Sequence, residues 1–184
     1  MPIVDVILEN HWKVECWRQG ELVWTAEFDN LVPTAGLNKL LDATFKTGLA
    51  SPTWYVGLIN TGATFALADT MSSHGGWTES IIYSQTVRPS FTPGTVAAGA
   101  VNNSAAKASF TITSGGTLAG AFLTDSNAKG GTSGTLYGEG NFDGGDQVVA
   151  GTDIVNVTVT LSATGGSATG FMPIKEEVFG TYHP

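Results

Sequence analysis

From His11 to Phe28 apolar and polar side chains alternate with period two across an interruption at Gln19-Gly20, and that alternation confines the stretch to a β-hairpin with one dry and one wet face. Trp12, Val14, Cys16, Leu22, Trp24, Ala26 and Phe28 fall on the dry face; Lys13, Glu15, Glu21 and Glu27 fall on the wet one. Trp17 breaks the pattern and is a candidate partner contact, the simpler reading being that it packs under a neighbouring loop. Further runs with strand character follow at 54–59, 79–88, 106–113, 118–124, 134–142 and 154–162, divided by Gly-rich turns. The expected fold is therefore mainly β: an antiparallel two-sheet β-sandwich, jelly-roll or immunoglobulin-like, with an N-terminal β-hairpin. Spacing does not fix its connectivity.

One short helix is expected near 35–46. Thr34 is its candidate cap, Leu37, Leu40, Leu41 and Phe45 its apolar stripe, and Gly48 its stop. Residues 65–78 read as a long irregular loop, and Gly57 as a point of close backbone approach. At 184 residues the chain suits a single domain, 1–164, which buries roughly 70% of its unfolded surface. A sub-boundary is expected near 89, because from Ser90 to Thr124 the only charged residue is Lys107. Residues 165–184 are expected to form an extended C-terminal tail, whose Phe171, Met172, Ile174, Val178, Phe179 and Tyr182 are too apolar for a solvated linker. The tail is expected to contact a neighbouring subunit or fold back on its own sheet.

Charge and cysteine content narrow the partners. A net charge of −8 with eight basic residues disfavours nucleic acid, since phosphate contact needs clustered Lys and Arg. No basic leader with an apolar core and no membrane-length apolar run is present, so neither export nor insertion is expected. The single Cys16 excludes an internal disulfide and reads as a small buried hydrophobe. The sequons at Asn102 and Asn156 carry no consequence without export.

The chemistry-bearing residues crowd into one segment. Asp69, His74 and Glu79, with Arg88 beside them, could supply metal ligands from the two carboxylates and the imidazole, and Asp69 with Glu79 a glycosidase pair beside Trp77 and Tyr83, but the spacing matches no established ligand set. The favoured reading makes Asp69, His74, Trp77, Glu79 and Arg88 structural anchors of a loop, with His74 and Asp69 bonding backbone around Gly75-Gly76 and Trp77 plugged into the core. Asp143-Gly144-Gly145-Asp146 reads as a turn between strands rather than a calcium loop. No nucleophile elbow, phosphate loop or dinucleotide fingerprint occurs, so no catalytic residue, cofactor or metal is expected.

The stretches DNLVPTAGLNKLLDATF, TWYVGL, ADTMSSHGGWTE and VRP, all between Asp29 and Pro89, resemble a family of small virion proteins encoded by tailed bacteriophages. GTLYGEGNF and GTDIVNVTVTLSAT resemble that family's closing strands. The resemblance implies a particle location, the virion, with assembly in the bacterial cytoplasm, and supplies no catalytic residues. Joined to the acidic, strand-rich composition it leads to an expected non-enzymatic capsid decoration or cement protein, a homotrimer bound to the major capsid protein. The alternatives are a tail or fibre module binding a host glycan through Trp and Tyr, and a cell-wall hydrolase dependent on Asp69 or Glu79.

Overall fold

A computed structural model describes residues 6–46 and 51–165. In chain order it contains β1 (Val6–Arg18), β2 (Glu21–Asp29), α1 (Thr34–Phe45), β3 (Trp54–Asn60), β4 (Glu79–Ser80), β5 (Ser90–Phe91), β6 (Ala100–Asn102), β7 (Ala108–Thr111), β8 (Gly116–Thr124), β9 (Leu136–Asn141), β10 (Gln147–Val149) and β11 (Ile154–Gly165). All strand pairs are antiparallel, and they form two sheets. The first runs β2-β1-β11 and ends in β6 and β7, both on the far edge of β11. The second centres on β8 and β3, with β9 and β10 against β8, and β4 and β5 against β3. The mainly β sandwich with one helix among the described residues is the expected class. Both sheets draw strands from either side of Pro89, so the change of composition there divides neither sheet.

Most of the hairpin forms as its alternation dictates: Trp12, Val14, Cys16 and Phe28 are fully buried, and Gln19 and Gly20 turn the chain with φ of 53° and 89°. Leu22, expected on the dry face, is instead 49% exposed, because a register shift between Cys16 and Trp17 sets it opposite Trp17. Its β1 strand is then zipped along β11 from Val6↔Gly165 to Trp17↔Ile154. The inward residues Val155, Val157 and Val159 of β11 meet those of β1 over a core that also holds Phe110, Leu118, Leu123 and Tyr137. Trp12 stacks on Phe28 at 5.3 Å, and Phe142 lies 5.7 Å from Phe28 and 5.9 Å from Trp24, tying the hairpin to the second sheet. Each such side chain contributes about 1.5–3 kcal/mol by leaving water. The outer face stays wet, with Glu15 held between Lys13 and Lys107. Trp17 is half-buried beside Leu22 and Ile154.

β8 is buried on both faces. Leu118, Ala121 and Leu123 enter the inter-sheet core, while Ala119 and Phe122 join Ile59, Met71, Trp77 and Leu136 in a second cluster on the outer side. A register shift between Ile59 and Asn60, opposite Leu118–Gly120, explains why Leu118 and Ala121 share a face despite their odd spacing. The 65–78 loop clads that outer side. Gly57 faces Phe122 across the ladder, and a Cβ there would lie 2.1 Å from Phe122 Cζ. The close approach at Gly57 is thus by an aromatic ring, not by another backbone.

Three local expectations are corrected. The run 79–88 yields only β4, because Ile81–Arg88 leaves the sheet: Arg88 is drawn inward, and Ser84 and Thr113 bond across to Thr111 and Ile82 instead. Pro33, extended at φ −63° and ψ 159°, occupies the cap of α1, and Thr34 is its first residue, its backbone N–H bonded to Leu67 O at 3.0 Å. The helix packs through Gly36, where a Cβ would meet Tyr137 O at 2.6 Å; the stripe expected to be buried is instead left largely outside, with Leu41 54% and Phe45 77% exposed. Short strands at 90–91, 100–102 and 147–149 complete the sheets.

Candidate functional site

The segment 65–88 and the strand β9 converge on the outer face of the second sheet. β9 there carries the sequence Leu136-Tyr137-Gly138-Glu139-Gly140-Asn141, and its flanking glycines let residues 28–31 lie directly against it. A Cβ on Gly140 would strike the Phe28 ring at 2.6 Å, and one on Gly138 would strike Asn30 Nδ2 at 1.9 Å. Leu31 and Glu139 exchange backbone hydrogen bonds of 2.9 and 3.1 Å across this contact. Glu139 opposes Phe122 in the ladder and is fully buried on the side clad by the loop.

Trp77 is the plug. Its ring stacks on His74 at 3.9 Å and tilts onto Phe122 at 4.8 Å, and its indole N–H donates to Glu139 Oε2 at 2.6 Å. His74 Nδ1 lies 3.2 Å from Trp77 O, and Asp69 Oδ2 accepts from Ala66 N at 2.9 Å, so both close the loop on its own backbone. The remaining oxygen of Glu139 is buried with no donor among the described residues. Burial first, and then the neighbouring Asp69 carboxylate, push the Glu139 carboxyl up to about 8, against a smaller opposing effect of the indole hydrogen bond. This shift favours the neutral form of Glu139 near neutral pH, in which a proton on its free oxygen can donate to Asp69.

The second lock lies beside the first. Arg88 is completely buried and donates Nε and Nη2 to Glu79 Oε1 and Oε2 at 2.9 and 2.7 Å, Nη1 to Ser126 O at 2.8 Å, and Nη2 to Gly131 O at 2.7 Å. The guanidinium carbon sits 5.1 Å from the Phe122 centroid. Glu79 accepts in addition from Gly130 N at 2.8 Å and Tyr83 O–H at 3.3 Å. Its lone pairs are thus committed to the fold. A buried ion pair with this many hydrogen bonds fixes where the 126–131 turn meets β4 rather than presenting a charge to solvent.

All five sequence-nominated residues, Asp69, His74, Trp77, Glu79 and Arg88, belong to this assembly, around a cleft of about 310 Å³ bordered by His74, Trp77, Glu79 and the 130–132 turn. Glu139 is the addition. Its signal in the sequence is a lone charge between two glycines inside an otherwise apolar strand. Asp69 is spent on Ala66 and its contact with Glu139, and Glu79 on Arg88, so the two do not stand free as a carboxylate pair across the cleft. Among the described residues no three His, Cys, Asp or Glu side chains gather as a metal site, and no helix is long and apolar enough to cross a membrane. The 143–146 segment turns the chain between β9 and β10: Gly145 N bonds Phe142 O at 3.0 Å with φ +80°, and Asp146 accepts from the Thr61 hydroxyl.

Elsewhere, Asp153 is fully buried under the hairpin, where the Arg18 guanidinium, donating at 2.7 and 2.9 Å, outweighs burial and holds the carboxyl down at about 2. The adjacent Cys16 thiol is pushed up to about 12, mainly by burial. Of the other nominated partner contacts, Phe171, Met172, Ile174, Val178, Phe179 and Tyr182 lie outside the described residues. No family model, curated protein or solved structure matches the chain.

Proposed function

We propose that the chain is a non-enzymatic structural component of a tailed-bacteriophage virion, a head decoration or cement protein that acts as a homotrimer on the major capsid protein. The observation that carries this reading is how the motif residues are used. The stretches that resemble the phage family contribute Asp69, Trp77, Glu79 and Arg88, and each of these side chains is turned inward onto hydrogen bonds or packing. Such a motif specifies a rigid shape, the property a shell fastener needs, because its strength comes from many identical contacts repeated over a lattice. The net charge of −8 suits an outer particle surface in preference to the DNA-facing one.

The test is the position and number of copies in particle images. Density for this chain on the head, at symmetric sites and in numbers on the scale of the shell subunits, is the expected result. A few copies confined to the tail or fibres would overturn the decoration reading in favour of the glycan-binding one. Loss of infectivity in an Asp69→Asn, Glu79→Gln chain that still folds and attaches would favour hydrolysis.

A further inference from the structure

Beside α1 the molecule carries an apolar groove. A cavity of about 430 Å³ lies between Leu37, Leu41 and Phe45 of the helix and Leu8 and Ala163 at the paired ends of β1 and β11. A second hollow of about 230 Å³ continues it past Leu40, Leu161 and Val96. Phe45 is 77% exposed, Val96 70% and Leu41 54%, a concentration of bare apolar side chains along the groove.

We propose that this groove seats the chain's own C-terminal segment 171–184. Ala163 lines the cavity only two residues before the last described residue, Gly165, and 19 residues follow, from 166 to 184. The first five, Gly-Ser-Ala-Thr-Gly, span at most about 17 Å, so the apolar part of the segment begins within reach of the helix. That part carries Phe171, Met172, Ile174, Val178, Phe179 and Tyr182. A tether this short presents it at an effective concentration in the millimolar range, ahead of a segment arriving from another molecule. The α1 stripe is thus left bare by the sandwich because a later part of the same chain covers it. This inference does not depend on the virion reading.

Trypsin cleavage after Lys175 in the full-length chain reads the docking, with release of 176–184 followed by mass spectrometry. Leu41→Asp/Phe45→Asp alters only exposed positions, and unchanged far-ultraviolet circular dichroism would verify its fold. Release is expected at least tenfold faster from this variant than from the parent; equal rates would overturn the proposal. In a second arm, full-length Leu41→Cys/Phe179→Cys is treated with a short bis-maleimide. A link within one chain is the expected product, and either links between chains or no link would overturn docking of the chain on itself.

Discussion

Replacing Glu139 by Gln tests the reading of the Trp77 plug. The Glu139 carboxyl is raised from 4.5 to about 8 in the folded protein, so between those values the folded state holds a proton that the unfolded state has released. Stability must therefore fall as pH rises, by about 1.4 kcal/mol per pH unit through that window. Below 4.5 both states are protonated and the full stability is present; above 8 both are ionised and the loss is complete. The whole interval amounts to about 5 kcal/mol, comparable with the net stability of a small domain. Gln keeps the shape, accepts the Trp77 N–H through its oxygen and offers its amide N–H to Asp69, without a charge to bury. Urea unfolding across pH 5 to 9 should give a falling curve for the parent and a flatter one for Glu139→Gln, the variant being more stable by several kcal/mol at the alkaline end. Parallel curves, or a variant weaker than the parent at pH 9, would refute the assignment of Glu139 as a buried neutral acid.

Arg88→Met leaves the buried Glu79 carboxylate without its counter-ion and the Ser126 and Gly131 carbonyls without their donor, and should cost about 3–5 kcal/mol in urea unfolding, whereas adding Glu79→Leu should restore part of that loss. Gly57→Ala drives a methyl into the Phe122 ring and should cost about 1–3 kcal/mol, with partial rescue by Phe122→Leu. Cys16, fully buried and pushed up to about 12, should react with a disulfide reagent at neutral pH only as fast as the protein unfolds; rapid stoichiometric labelling of the native protein would contradict its burial.

The hairpin was legible because each dry-face residue repeats the same statement: Trp12, Val14 and Cys16 on one strand face Ala26 and Phe28 on the other at the spacing of a pleat. β8 was legible for the opposite reason. Its unbroken apolar run has no wet face, which marks a strand covered on both sides. The loop anchors could be nominated but not assembled, since Asp69 and Glu139, or Arg88 and Gly131, are joined by topology and not by spacing. Glu139 itself is hidden because a glutamate's ordinary place is in water, and only its glycine neighbours betray a crowded position. The 79–88 run misled because Arg88 finds four hydrogen bonds inside the protein, an attraction outside the reach of strand propensity. The helix stripe misled because periodicity identifies an apolar face without saying what covers it.

The pairing of β1 with β11 also sets when this chain can fold. On the edge away from β2, Val6–Trp17 finds its partner in Ile154–Gly165, the last described residues to be synthesised. Until then the hairpin presents an open edge and the side chains of Trp12 and Val14 to solvent, a state that invites capture by chaperones or by another nascent copy. Completion must await synthesis of β11, with the slow kinetics of a topology whose central ladder joins Val6–Trp17 to Ile154–Gly165. A ribosome stalled before codon 154 would leave a product unable to close.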